Sequence, residues 1–191
     1  MSPEVAARIR LAGLLVLALL LQTTVVPDVR VLGTCADLML LCTVCAALVG
    51  GPELGGLVGF IAGLMTDLFL TTTPLGLTAL VFSVIGYAVG SIRRTMLQEG
   101  WLLAPATAFV ASSAGVVLFV VAGVMVGQSQ LTRMGPVGIA KTAMLVGLMN
   151  AVIAAPVCRL IGWAAAGTRR APEASAEISS IAARHSPRRL R

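Results

Sequence analysis

The sequence predicts an all-α integral membrane protein with six transmembrane helices, and three observations carry that prediction. Hydrophobic residues make up 58% of the 191-residue chain and charged ones only 12%, with a mean hydropathy of +0.96. A water-soluble domain of this length needs far more polar side chains to cover its surface. The apolar residues fall into runs of about 20, the length of helix that crosses a hydrocarbon core. The breaks between the runs hold turn residues and most of the charge. Inside lipid every backbone polar group must bond within the protein, so such runs are read as helices.

The first run is Ile9 to Val26. Its basic flank and apolar body resemble a signal peptide, but no clean small-x-small cleavage site follows and further runs do, so it is read as a retained helix that doubles as the targeting signal. Pro27-Asp28 ends it. The second run, Val31 to Val49, has Asp37 near its entrance and is the weakest of the six. If it only half-inserts, five spans remain and the C-terminus changes side. Gly50-Gly51-Pro52-Glu53 leads to the third run, Leu54 to Leu70, and Thr71 to Pro74 leads to the fourth, Leu75 to Ile92. Links this short make the second, third and fourth helices antiparallel neighbours. Arg93, Arg94, Gln98, Glu99 and Gly100 precede the fifth run, Trp101 to Val126, and Gln128 to Pro136 precedes the sixth, Val137 to Ile161. Pro156 is expected to kink the sixth helix and turn Asn150 and Cys158 to different faces. Residues 1–167 thus form one membrane domain. Residues 168–191, rich in Ala, Ser, Arg, Pro and Glu, form a basic tail that is expected to be disordered.

The net charge of +6 suits a topology signal better than a nucleic-acid surface, because the basic residues flank apolar runs and the few aromatics show no stacking pattern. With six spans and the N-terminus inside, the cytoplasmic segments hold Arg8, Arg10, Arg93, Arg94, Arg159 and the tail arginines Arg169, Arg170, Arg184, Arg188, Arg189 and Arg191. The outer loops hold only Arg30 and Arg133, with Lys141 just inside the outer end of the last helix. That bias predicts N-in, C-in. The tail arginines have two readings: a solvated anchor, or contact with anionic lipid at about 1 kcal/mol per basic residue.

Within the third run, Gly51, Gly55, Gly59, Gly63 and Asp67 recur at every fourth residue. Each step of four drifts about 40° around a helix, so the glycines form a slowly winding ridge. Small residues on such a ridge let two backbones approach closely, and close packing is what holds helices together in lipid. Gly55, Gly59 and Gly63 are therefore expected to pack the third helix at the centre of the bundle. Asp67 lies about 20 Å along the axis from Leu54, inside the outer half of the membrane. A central acid costs about 2.5–3.5 kcal/mol, less toward the edge, so its presence needs a reason. One is structural, a carboxyl bonded to hydroxyls or free N–H groups near Thr71 to Pro74, or paired with Lys141. The other is a proton, ligand or partner site. Gln22, Asp37, Asp67 and Lys141 share a depth, which suggests one outward-facing polar cluster; Asn150 sits midway along the last helix. Interhelical hydrogen bonds are the plainer role for each.

Cys35, Cys42, Cys45 and Cys158 raise a disulfide or a metal site. Cys42 and Cys45 have CxxC spacing, but no second pair and no intramembrane histidine completes a zinc set, His185 being in the tail. The cysteines are read as small packing residues, and no metal or cofactor is expected. No carboxylate pair, buried histidine or activated nucleophile points to catalysis, so the chain is not read as an enzyme.

Several residues together resemble the MreD family of rod shape-determining proteins. They are Leu21-Gln22-Thr23, Gly33 with Asp37-Leu38, and the run Gly55, Gly59, Phe60, Gly63, Leu64, Asp67. Gly76, Tyr87, Asn150 and Pro156 complete the set. The stretch Gly59 to Asp67 is the most specific. Ala36 departs from the family, which usually has proline before the aspartate of the second span. The resemblance covers roughly Leu20 to Leu160. It implies a multi-pass protein of the bacterial cytoplasmic membrane that acts beside MreC. Through MreC it is linked to MreB filaments, to RodA and to a penicillin-binding protein that build lateral cell wall. It also implies a fold similar to the substrate-binding subunits of energy-coupling factor transporters. Two functions from different classes follow: a scaffold for peptidoglycan synthesis, and, as the alternative, a small-molecule-binding subunit of a transporter.

Overall fold

The computed structural model describes residues 3–30, 32–69, 74–95, 103–128 and 135–167. Val31, Leu70, Thr71 to Thr73, Gln98 to Trp101, Arg133 and the tail 168–191 lie outside the described residues. Five helices follow in order: α1 (Pro3–Thr24), α2 (Leu38–Phe69), α3 (Leu77–Thr95), α4 (Leu103–Met125) and α5 (Gly135–Ala164). Short 3-10 turns at Val26–Asp28 and Ala165–Gly167 follow α1 and α5, and no strand occurs among the described residues. Helices α1, α2, α4 and α5 are long and apolar enough to cross a membrane, and α3 is apolar over the shorter stretch Leu77–Ile92.

Helix α2 is broken at Gly51, whose φ of 84° and ψ of −169° lie outside helical geometry. Only glycine takes that conformation cheaply. Pro52 then restarts the helix with a φ suited to a first turn and no N–H to satisfy. A Cβ placed on Gly55 would fall 2.5 Å from the Cβ of Ala47, whereas a straight helix holds residues eight apart about 12 Å from each other. The chain therefore folds back, and α2 is a hairpin of α2a (38–50) and α2b (52–69).

The core of the bundle is α2a. Met39 through Ala47 are buried without a break, the pattern of a helix enclosed on all sides. This corrects the expectation that the third run is the packing centre. It also corrects the extent of the second run, which is helical only from Leu38. There the carboxyl of Asp37 accepts the N–H of Leu40 at 3.0 Å, an N-cap that sets the helix start. The resulting α2a is about 20 Å long, short of the roughly 30 Å hydrocarbon core.

The glycine ridge lies between α2b and α3. A Cβ on Gly55 would meet the Gly86 carbonyl, one on Gly59 the Phe82 carbonyl, and one on Gly63 the Ala79 backbone, each closer than 3.0 Å. Ser83 adds a hydroxyl bond to the Gly56 carbonyl at 3.1 Å across the same seam. Helices α4 and α5 form a second pair, with Gly147 against Phe109 and Ser113, and with the Ser113 hydroxyl donating to the Ala143 carbonyl at 3.0 Å.

Helix α5 runs on through Pro156. Asn150 bonds Asp37 at the start of α2a, the Ala154 carbonyl oxygen lies 3.9 Å from Cys45 Sγ, and Cys158 forms a disulfide with Cys45. All three face α2a, so the expected separation of Asn150 from Cys158 does not occur. Residues spaced by four follow one ridge, and the proline lies off it. The disulfide also corrects the reading of all four cysteines as packing residues. Cys45 and Cys158, with Cα atoms 4.8 Å apart, are joined across α2a and α5, while Cys35 and Cys42 are free. At the far end of α5, the Arg10 guanidinium stacks 4.9 Å over the Trp163 ring. The start of α1 and the end of α5 therefore share one end of the bundle.

Candidate functional site

Polar side chains inside the bundle gather at the end opposite Arg10 and Trp163, in two places. The first is where α1 stops and α2a starts. A helix start leaves four N–H groups without intrahelical partners. Here the Leu38 N–H donates to Gln22 Oε1 at 2.7 Å, and Gln22 Nε2 donates to the Ala36 carbonyl at 3.4 Å. The side chain of Asn150 reaches in from α5. Its Oδ1 accepts the Asp37 N–H at 3.1 Å, and its Nδ2 donates to the Asp37 carbonyl at 3.1 Å and to Ser112 Oγ of α4 at 2.9 Å. Four helices thus meet at one set of bonds, and Asn150 and Ser112 are fully buried there.

The second place is Asp67, near the end of α2b and 2% exposed. Its Oδ2 accepts the N–H of Gly76 at 2.9 Å, of Thr78 at 3.1 Å and of Ala79 at 3.3 Å. Those donors are Gly76, just before α3, and Thr78 and Ala79 in its first turn, so the carboxyl caps a neighbouring helix across the loop. The donors lie a few residues beyond the 71–74 stretch that the sequence suggested.

Of the cluster expected from depth, Gln22 and Asp37 come together, joined by Asn150 from midway along α5, and Asp67 lies at the second joint. Lys141 is exposed, about 13 Å along α5 from Asn150, and makes no ion pair with Asp67 among the described residues. Ser112 was not anticipated. Its signal was the pair Ser112-Ser113 in an otherwise apolar run, which places hydroxyls on adjacent faces of α4; both are used, Ser112 by Asn150 and Ser113 by Ala143. Among the described residues no buried side-chain nitrogen or oxygen lacks a partner. The chemistry available is therefore that of a joint: carboxyl, amide and hydroxyl groups committed to holding helix ends.

Beside the first joint is an apolar groove of about 330 Å³ between the end of α1 and the flank of α5. Val25, Val26 and Val29 line one side, Met149, Val152 and Ile153 the other.

Residues 8–162 match the family model of the rod shape-determining protein MreD. No curated protein and no solved structure matches the chain. The match includes both joints, the glycine ridge and all of the five helices except the extreme start of α1 and the last turn of α5. The chain belongs to the MreD family of rod shape-determining proteins.

Proposed function

We propose that the protein is a non-enzymatic scaffold of the bacterial cell-elongation machinery, held in the cytoplasmic membrane by six helical segments with both termini inside. The family match over residues 8–162 carries this reading. The six segments are α1, α2a, α2b, α3, α4 and α5. An even number of segments agrees with the meeting of Arg10 and Trp163 at one end. Arg8, Arg10 and Arg159 mark that end as cytoplasmic by the positive-inside rule. The two polar joints then face the outer leaflet. Every buried polar group in them is committed to the fold, which suits a rigid platform rather than a catalyst. MreC is the expected direct partner, with MreB filaments, RodA and a penicillin-binding protein assembled through it.

The test is affinity purification of the tagged protein from native membranes in mild detergent, followed by mass spectrometry, alongside deletion of the gene. Co-purification of MreC or RodA together with loss of rod shape supports the scaffold. Recovery of an ATPase and its coupling membrane subunit, with shape unchanged, overturns it.

A further inference from the structure

Helix α1 packs on the end of α5 and on the 3-10 turn that follows it. Ala7 on α1, Ala164 on α5 and Ala165 in the turn are buried. Side chains this small let the backbones approach closely, and the larger Arg10 and Trp163 meet at the rim of the seam. The Arg10 guanidinium lies 4.9 Å over the Trp163 ring. Arg159 is four residues before Trp163 on α5, on the same ridge, where Cβ atoms stand about 5–6 Å apart. The indole thus has one cation over its ring and a second one turn along its own helix.

Among the described residues, Arg10 and Arg159 make no ion pair. The described acids at this end are Glu4 and Glu53. Glu4 is six residues before Arg10, about 120° away around α1, and Glu53 is exposed at the start of α2b. Stacking occupies the flat face of the Arg10 guanidinium and leaves the N–H groups at its edge open, a fork that matches two oxygens of a phosphate. The flanks are apolar: Ile9, Leu160 and Trp163 are each more than half exposed, on helices long and apolar enough to cross a membrane. Arg10 stands about 10 Å along α1 from Pro3, and Arg159 about 8 Å before the end of α5. An arginine is costly among lipid tails and is drawn to the headgroup level, where the amphipathic ring of a tryptophan also belongs. The matching occupant brings phosphate to the guanidinium groups and apolar tails to Ile9 and Leu160. A soluble anion leaves the apolar flank uncovered, and a zwitterionic lipid carries its own ammonium to the cations.

We propose that Arg10, Arg159 and Trp163 form a headgroup site for an anionic phospholipid at the seam of α1 and α5. The Arg10 fork binds one phosphate bidentately, the indole holds that fork in place, and Arg159 binds a second phosphate. A lipid with two phosphates, cardiolipin, therefore binds more tightly than phosphatidylglycerol with one. The site is separate from the two polar joints, and it takes from the scaffold reading only the cytoplasmic orientation of this end.

The experiment is native mass spectrometry of the full-length chain, purified in detergent and titrated with cardiolipin, phosphatidylglycerol or zwitterionic phosphatidylethanolamine of matched tails. Retention is expected to fall in that order. Arg159→Gln lowers the cardiolipin affinity about fivefold, the equivalent of about 1 kcal/mol for one basic residue near a membrane surface. Arg10→Gln lowers the affinity for both anionic lipids roughly tenfold, because it removes the fork. Arg10→Lys keeps the charge without the fork and recovers only part of that loss. Arg30→Gln, which removes a positive charge at the opposite end of the bundle, leaves retention unchanged. Melting of each variant in lipid-free detergent reports whether it has folded, and Arg159→Gln carries the test alone if loss of the Arg10 stack unsettles the seam. Equal retention of phosphatidylethanolamine, displacement of the lipid by inorganic phosphate at equal concentration, or the same loss in Arg30→Gln as in Arg10→Gln overturns the proposal. These measurements are blind to partner proteins and to cell shape, so the lipid site and the scaffold reading stand or fall separately.

Discussion

The amide of Asn150 bonds both backbone groups of Asp37, accepting its N–H and donating to its carbonyl, each at 3.1 Å and across 113 residues of chain. A side-chain amide used this way replaces a missing turn of helix. It satisfies the N–H of the residue just before α2a, which has no intrahelical partner, and gives a second donor to a carbonyl that already accepts the Leu41 N–H at 3.0 Å.

Asn150→Leu keeps the volume and removes every one of these bonds. The Asp37 N–H and the Ser112 hydroxyl lose their partner, while the Asp37 carbonyl keeps the Leu41 N–H. The expected loss is about 2–4 kcal/mol, since each orphaned group costs roughly 1–3 kcal/mol and some relaxation occurs. Denaturant or thermal unfolding of the purified protein in detergent reads it. A stability equal to wild type would show that the joint does not hold the fold.

Asp67→Ala strips the start of α3, Gly76 included, of an acceptor for three N–H groups, with an expected loss of about 2–3 kcal/mol. Asp67→Asn keeps one acceptor oxygen and restores part of that stability. Cell shape separates the capping role from a partner role. If Asp67→Asn recovers stability yet cells still round up, the carboxyl also meets another molecule.

The ridge makes a graded forecast. Gly59→Ala drives a methyl into the Phe82 backbone, whereas Gly56→Ala meets nothing nearer than Tyr87 at 3.7 Å. Gly59→Ala is expected to cost about 1–3 kcal/mol and Gly56→Ala under about 0.5 kcal/mol, because overpacking against backbone has no soft neighbour to yield. Comparison of the two melting curves checks it, and equal effects would mean that α2b and α3 are not packed through the ridge.

Alkylation counts the cysteines. In denatured but unreduced protein, Cys35 and Cys42 are expected to take the reagent and Cys45 and Cys158 to resist it; after reduction all four react. Peptide mapping by mass spectrometry assigns the sites. Alkylation of Cys45 before reduction would remove the cross-link from the structure.

Much of this architecture was written in local signals. The run of Gly50, Gly51 and Pro52 announces a reversal because a glycine free to take positive φ precedes a proline that starts helices. The spacing of Gly55, Gly59 and Gly63 announces close packing because only small residues admit a second backbone. What stayed hidden depends on long-range pairing. Nothing local in Cys45 points to Cys158, and hydrophobicity alone does not say that 39–47 is enclosed while 57, 60 and 61 face outward. Lys141 shows the limit of depth as a guide, since it lies about 13 Å along α5 from Asn150 and on an exposed flank rather than with the other polar residues. Ser112 was concealed because a lone hydroxyl can be absorbed by its own helix backbone, and only the arrival of Asn150 gives it another task.

The enclosure of α2a has a consequence for how the protein is made. Its start is completed by Asn150, which the ribosome adds 113 residues after Asp37. At about 5–20 residues per second, that is a wait of roughly 6–23 s. Throughout this interval the innermost helix, too short to cross the bilayer, sits beside unfinished neighbours with the Asp37 N–H still waiting for its acceptor. Newly made chains are therefore in most need of shelter by an insertase or membrane chaperone before α5 emerges. A truncation that ends before Asn150 is expected to be cleared by membrane proteases, while one that ends after Trp163 survives.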